Sequence, residues 1–252
     1  TIAQWQSVGF AHGVMNTDNM SILGETIDYG PFGFIDTYDP KFICNSSDSH
    51  GRYAFENQPA IGLWNLNALA NAFTSLISTE ELTSILQTYE PTFRIQYFEL
   101  MALKLGITFS NEADSRLIER LLLILGDEKV DYTNFFRSLC HYQPRGENAF
   151  LASLLKNSVD FNSWCTDYDD RLGQVTAPLE ERRSKMLAIN PKYVLRNYMA
   201  QEAIDAAEQK DYSLVNDLLS ILQNPYDEHP EMERFAFTPP KWASTISVSC
   251  SS

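Results

Sequence analysis

Apolar residues recur at helical spacing from about residue 60 onward. Leu66, Leu69, Phe73, Leu76 and Ile77 fall on one face of a 3.6-residue period, with Trp64 near its start. Ser78 to Glu81 is a capping-box pattern opening a second helix through Leu82, Ile85, Leu86 and Tyr89, which Pro91 ends or interrupts. A stripe from Phe93 to Leu105 stops at Gly106. Asn111 with Asp114 caps a helix carrying Leu117, Ile118, Leu121, Leu122 and Leu125, closed by Gly126, and Phe135, Phe136 and Leu139 sit on one more. Asn190 reads as a cap with Pro191 at the first helical position, which puts Lys192 and Arg196 on a common face. Leu214, Leu218, Leu219 and Leu222 make the last stripe, before a polar, Pro-rich tail expected to lie extended and to be held by Phe235, Phe237 and Trp242. Stripes of this kind are core-forming, not cofactor-binding.

Before residue 60 the pattern is different. Ile2, Trp5 and Val8 have helical spacing with no lead-in, as in a helix joined partway along. Met20–Leu23 and Thr26–Ile27 read as two short strands turned by Gly24-Glu25, a hairpin that would carry Asn19 at its entry and Asp28 at its exit. Gly30-Pro31-Phe32-Gly33 breaks the chain, and 34–59 mixes Phe34, Tyr38, Phe42, Tyr53 and Phe55 with polar residues in no sustained period. An irregular loop anchored by those rings is the expectation, with His50, Arg52 and Asn57 read as holding it by hydrogen bonds.

The hairpin brings candidate chemistry. An amide oxygen and a carboxylate side by side are hard ligands suited to Mg2+, which takes one or two protein oxygens and completes its shell with water and phosphate. Asn19 followed by Asp28-Tyr29-Gly30 matches the metal-binding half of a protein-kinase-like site, in which a catalytic-loop Asn and the Asp of a D-F-G motif hold the nucleotide's metal. Five positions before Asn19, where a kinase places its catalytic Asp, stands Val14, which cannot accept a proton. Asp18 is the nearest carboxylate able to replace it. A degenerate kinase that binds nucleotide without chemistry would show the same substitution.

Composition narrows the classes. An apolar fraction of 44% supports a sizeable core, and no apolar run approaches the length of a membrane span. The net charge of −14 argues against nucleic-acid binding, which needs clustered Lys and Arg. Four cysteines without C-x-x-C spacing describe neither a zinc site nor a disulfide-dense secreted fold, and read alone they are reduced thiols. Gly126–Tyr132 lacks calcium-loop spacing, and Cys140 beside His141 has no second pair to complete a metal site. Asp167, Asp169 and Asp170 near Arg171 read as a solvated turn.

Four stretches together resemble the selenoprotein O family, kinase-like proteins that transfer AMP to protein hydroxyls. They are QWQSVGFAHGVMNTDNMSILGETIDYGPFGFID at 4–36, FICNSSDSHGRYAFENQPAIGLWNL at 42–66, NPKYVLRNYMAQ at 190–201 and SVSCSS at 247–252. The resemblance implies a mainly α protein-kinase-like C-terminal lobe with a small β-hairpin, residues 1–60 carrying the catalytic loop, metal hairpin and activation-like segment, and 61–252 the helical remainder and tail. It implies Asp18 as proton acceptor, Asn19 and Asp28 as ligands of Mg2+ or Mn2+, Asp28 reaching ATP through the metal, and ATP and Ser, Thr or Tyr hydroxyls of proteins as substrates. It further implies that the phosphate-gripping residues lie in an N-terminal lobe outside this chain and that the compartment is cytoplasmic in a bacterium or mitochondrial in a eukaryote, while charge and hydropathy speak against nucleic acid and membrane as partners. The positions matching Cys44 and Cys250 form a disulfide in bacterial relatives, a bond that in the cytosol would regulate rather than support the fold. The rival readings are ordinary phosphoryl transfer, against which Val14 counts, and a nucleotide-holding scaffold, against which the two retained metal ligands count.

Overall fold

The computed structural model describes residues 1–156 and 158–249, and among them eleven α-helices, four short 3-10 helices and one two-stranded sheet. The helices are α1 Ile2–Val8, α2 Gln58–Ala72, α3 Thr79–Gln87, α4 Tyr89–Lys104, α5 Glu112–Glu128, α6 Tyr132–Leu139, α7 Ala149–Ser153, α8 Ser158–Leu172, α9 Leu179–Leu187, α10 Asn197–Glu208 and α11 Ser213–Gln223. The strands are β1 Phe10–Ala11 and β2 Gly33–Phe34, which pair with one another. The chain divides into two compact units. The first comprises 1–33, 40–100 and the tail from Ser247, and the second comprises 34–39 and 101–246.

In the first unit the expected hairpin is absent. Met20–Leu23 and Thr26–Ile27 form no strands; the Gly24 N–H donates to the Ser21 carbonyl at 3.1 Å, closing a turn, and the Leu23 N–H donates to Ser21 Oγ at 3.2 Å. Thr26 is held from outside, its Oγ1 accepting from Trp5 Nε1 at 2.9 Å. An isolated hairpin this short is marginal, and with Ile22 81% and Leu23 78% exposed no buried face stabilises it. The observed sheet instead spans the segment's two ends.

α2 also departs from its pattern. Leu66, Leu69 and Phe73 are exposed, while Gln58, Gly62 and Asn65 point inward. Ser78 caps α3 as its sequence indicates, accepting from the Glu81 N–H at 3.2 Å, and Pro91 falls in the first turn of α4, where its missing N–H costs nothing. In the loop between β2 and α2, Phe55 is buried, Asn57 Nδ2 donates to the Gly51 carbonyl at 2.9 Å, and the Arg52 guanidinium lies 4.8 Å from the Trp64 ring centre.

The second unit follows its apolar stripes more closely. α5 is capped by Asn111, which accepts from the Ala113 N–H at 2.8 Å, but it ends beyond Gly126, at Lys129 in the left-handed region. Asp167, Asp169 and Asp170 lie on α8, not in a turn: Asp167 pairs with Arg120, Asp169 accepts from Tyr142 Oη at 2.9 Å, and Arg171 next to them pairs with Asp114 at 2.6 Å. Burial would raise the Asp114 carboxyl, but hydrogen bonds from Arg171 and Ser110 outweigh it and hold that carboxyl below its usual range. Asn190 does not cap a helix. It is fully buried, and its Nδ2 donates to the Lys104 carbonyl at 3.0 Å. No helix forms before Arg196, which is itself extended, and α10 begins only at Asn197. Lys192 and Arg196 therefore share no helix face: Lys192 meets Glu228 and Glu233, and Arg196 meets Asp36 and Asp131. The tail is not extended throughout. Residues Pro230–Ala236 and Lys241–Thr245 wind into 3-10 turns, and Phe235 is buried with Tyr193, Tyr198, Met199, Leu218 and Ile221, whereas Phe237 is exposed.

Lys104, at the end of α4, is 2% exposed, with Nζ 4.3 Å from the Phe136 ring centre and 5.3 Å from that of Tyr132. Burial lowers its pKa to about 7, against the opposing pull of the neighbouring Cys140. The unfolded chain, with its lysine near 10.5, therefore binds more protons than the folded one above about pH 7, and stability must rise with pH there. Cys140 is itself pushed up by burial from 9.0, so above that pH its titration acts in the opposite direction. Urea unfolding is expected to show stability climbing by roughly 1 kcal/mol per pH unit from neutrality toward the thiol range. Lys104→Met should remove the slope and be the more stable protein at pH 7.

Candidate functional site

Polar side chains build the segment from Phe10 to Tyr29. Trp5 and Phe10 pack ring to ring at 5.5 Å, and His12, 1% exposed, packs on Trp5 at 5.3 Å. The His12 N–H donates to Gln58 Oε1 and Gln58 Nε2 donates to the Phe10 carbonyl, both at 2.9 Å, so one buried amide on α2 braces the chain on both sides of Ala11. Asn65, two turns along the same helix, donates to the Met15 carbonyl at 3.0 Å. His12 Nε2 lies 2.8 Å from the Ile27 carbonyl. A carbonyl only accepts, so Nε2 carries the proton and Nδ1 accepts from the Val14 N–H at 3.4 Å. His12 thereby ties the backbone just before Asp28 to the loop that leads to Asn19.

Asp18 and Asn19 sit in a single 3-10 turn, Thr17–Asn19, with Asp18 exposed and Asn19 half-buried. Asn19 Nδ2 donates to the Val14 carbonyl at 3.0 Å, which fixes the amide and leaves Oδ1 as its outward acceptor. Val14 thus holds the loop through its backbone although its side chain does no chemistry. Asp28 is exposed, at φ 55°, a left-handed conformation that Asp tolerates better than most residues, and the Gly30 N–H donates back to its carbonyl at 2.8 Å. Among the described residues, neither the Asp18 nor the Asp28 carboxylate nor Asn19 Oδ1 accepts a hydrogen bond from the protein.

That donor set, hard oxygens without protein partners, fits Mg2+ or Mn2+ chemically. Among the described residues no three His, Cys, Asp or Glu side chains gather as an all-protein cage, so phosphate and water would have to complete the shell of any ion here. Cys44 lies beneath the same loop, its Sγ donating to the Ala11 carbonyl at 3.4 Å. A Cβ on Gly13, at φ 82°, would come within 2.6 Å of that sulfur, so only glycine admits the close approach. Cys250 lies outside the described residues. Close to it in sequence, the Val248 carbonyl accepts from the Ser46 N–H at 2.8 Å. Cys140 is buried and His141 exposed on the surface.

His12, Gln58 and Asn65 are the supporting residues that sequence patterning passes over. The signal for two of them is a polar pair seven apart on a helix whose apolar residues face outward.

Asp18 and Asn19 in one turn and Asp28 further along, with His12 bracing the backbone between them, make up the candidate site, and the comparisons with known proteins name the group to which the chain belongs. The family model described as Protein adenylyltransferase SelO matches residues 1–223, and the chain belongs to that family. It is 48% identical over 253 residues to a protein nucleotidyltransferase YdiU of Myxococcus xanthus, 48% over 257 residues to one of Vibrio vulnificus, and 50% over 257 residues to one of Thioalkalivibrio sulfidiphilus. Each alignment covers 100% of this chain and 52% of the relative, so the chain spans about half the length of these proteins. Among the described residues no helix is long and apolar enough to cross a membrane.

Proposed function

We propose that the full-length protein transfers AMP from ATP to Ser, Thr or Tyr hydroxyls of proteins in a Mg2+-dependent reaction, with Asn19 and Asp28 as metal ligands and Asp18 as proton acceptor. The observation that carries this reading is the set of three side chains, Asp18, Asn19 and Asp28, whose oxygens accept no hydrogen bond among the described residues, in a loop braced by His12, Gln58 and Asn65, in a chain of an adenylyltransferase family. When bound, the metal, Mg2+ or Mn2+, neutralises phosphate charge. The substrate hydroxyl attacks the α-phosphorus, its oxygen bonds to phosphorus, the bond to the bridging oxygen breaks and pyrophosphate leaves. Asp18 takes the hydroxyl proton, a role open to an exposed carboxylate that no protein group occupies. In this reading residues 1–60 carry the chemistry and 61–252 support it, while the groups that grip the phosphates lie in the part of the protein outside this chain.

Incubating the full-length protein with ATP labelled on the α or on the γ phosphate tests the proposal. Label retained on protein from the α position alone is the expected result. Label from the γ position would establish phosphoryl transfer, and nucleotide binding without either label would establish a scaffold. The 252-residue chain by itself is expected to label nothing, since positioning of the phosphates is most of what catalyses their transfer.

The same proposal includes a redox-sensitive bond between Cys44 and Cys250. Support comes from the Ser46–Val248 hydrogen bond, which lays the tail beside the Cys44 segment, and from the contact of Cys44 with the loop at Ala11 and Gly13. Peptide mapping of the non-reduced protein should recover Cys44 linked to Cys250, and reduction should change the rate of AMP transfer. Recovery of Cys44 linked to Cys140 would remove this part of the reading.

A further inference from the structure

Within the second unit, the end of α4, the loop through Gly106 and Ser110, the end of α8 and the start of α9 enclose a cavity of about 590 Å³. The size is that of a small-molecule site. Its wall includes three cationic side chains, Arg171, Arg182 and Lys185, and no carboxylate, in a protein whose net charge is −14. Two of the three are already neutralised. Arg171 spends its charge on Asp114 at 2.6 Å and exposed Lys185 on Glu181 at 2.7 Å.

Arg182 is different. It is 4% exposed, and its guanidinium donates to Tyr168 Oη at 3.2 Å, to the Tyr142 carbonyl at 2.8 Å and, weakly, to Met186 Sδ at 3.9 Å. All three acceptors are neutral. Among the described residues no carboxylate pairs with it. A buried cation without a counter-charge is costly, and Arg cannot escape by losing its proton. Hydrogen bonds to neutral atoms satisfy the donors but leave the charge, so an anion entering the cavity would find a desolvated, pre-oriented cation. The approach of α9 that places Arg182 there depends on Gly106, at φ 67°, where a Cβ would fall 2.8 Å from Arg182 Cγ and 2.6 Å from Met186 Sδ.

The remaining walls decide what kind of anion. Leu103, Ile107, Val175 and Ile189 give apolar surface, while Thr108 and Ser110 add hydroxyls. We propose that this cavity binds a small organic anion, a phosphate or carboxylate group carried on an apolar body, with Arg182 as the residue that receives the charge. The site is separate in sequence and in compact unit from the Asp18, Asn19 and Asp28 loop.

Isothermal titration calorimetry on the 252-residue chain tests this with four probes: phenyl phosphate, benzoate, inorganic phosphate and neutral benzyl alcohol. At least one of the two aromatic anions should bind at one site per chain, and which of them binds more tightly identifies the headgroup. Inorganic phosphate and benzyl alcohol should each bind at least about tenfold more weakly, a 1.4 kcal/mol difference. Arg182→Gln should weaken the aromatic anion about tenfold or more, and Ala177→Trp, which fills the cavity from its wall, should abolish binding. Where the Arg182 variant does not fold, Lys185→Glu, at an exposed position on the same wall, serves in its place and should weaken the anion while leaving benzyl alcohol unchanged. Failure of both aromatic anions to bind at millimolar concentration overturns the proposal, as does equal binding of benzyl alcohol or unaltered affinity in the Ala177→Trp chain.

Discussion

Asp28→Ala in the full-length protein is expected to abolish metal-dependent nucleotide binding and AMP transfer together, while Asp18→Ala should keep binding and lose transfer by about 10²- to 10⁴-fold. The difference follows from the proposed roles. A ligand that anchors the metal acts on the ground state and the transition state alike, whereas a proton acceptor matters only as the hydroxyl attacks. Neither change should unfold the chain, because both side chains are exposed and make no hydrogen bond to the described protein. At Asp28 the backbone itself is a complication: φ 55° suits Asp and Asn better than Ala, so Asp28→Asn is the control that preserves conformation while weakening the ligand. Transfer of α-labelled AMP and calorimetric titration with Mg2+ and nucleotide give the two readouts. Full transfer by Asp18→Ala would move the proton-acceptor role to another group, and unaltered Mg2+-nucleotide affinity in Asp28→Asn would remove the metal assignment.

The second large effect is structural. Arg196 is 2% exposed as a side chain and spans two carboxylates: Nη1 donates to Asp36 Oδ1 at 2.6 Å, and Nη2 donates to both oxygens of Asp131 at 3.0 and 2.9 Å. Asp131 is 10% exposed and also caps α6 by accepting from the Asn134 N–H at 3.0 Å. The bridge thus fastens the segment before α10 to the start of α6 and to the 34–39 segment, which also pairs through Thr37 and Asp131. Arg196→Met should lower stability by about 3–5 kcal/mol, since removing one partner of a buried ion pair strands the other. Most of that loss comes from Asp131, because Asp36 is half exposed and water can replace its share. Arg196→Lys should recover only part, for an ammonium cannot reproduce the planar fork that reaches two carboxylates at once. Urea unfolding of the three proteins measures it, and a loss below about 1 kcal/mol in Arg196→Met would show that the bridge is no stronger than a surface pair.

Local rules were enough for much of the fold. The caps at Ser78 and Asn111, the stop at Gly106 and the stripes of α5 and α6 are written in adjacent residues, and each satisfies its own backbone groups within a turn or two. The proposed donors Asp18, Asn19 and Asp28 likewise stand in one short run, and their residue types suit a hard metal ion.

What the sequence could not supply was every feature in which a side chain is claimed by a distant partner. Asn190 looks like a helix cap, yet its amide is taken by the Lys104 carbonyl, so α10 starts seven residues later. In place of the two-strand hairpin, Trp5 and His12 hold Thr26 and the Ile27 carbonyl, contacts that the local pattern does not show. On α2, Leu66 and Leu69 face outward while Gln58 and Asn65 face inward, where their amide N–H groups reach the backbone carbonyls of Phe10 and Met15. The caps at Ser78 and Asn111 and the apolar periods of α5 and α6 are short-range and so were determined by sequence alone. The destination of each buried polar group is long-range, because a hydrogen bond must be satisfied somewhere and only the tertiary structure decides where.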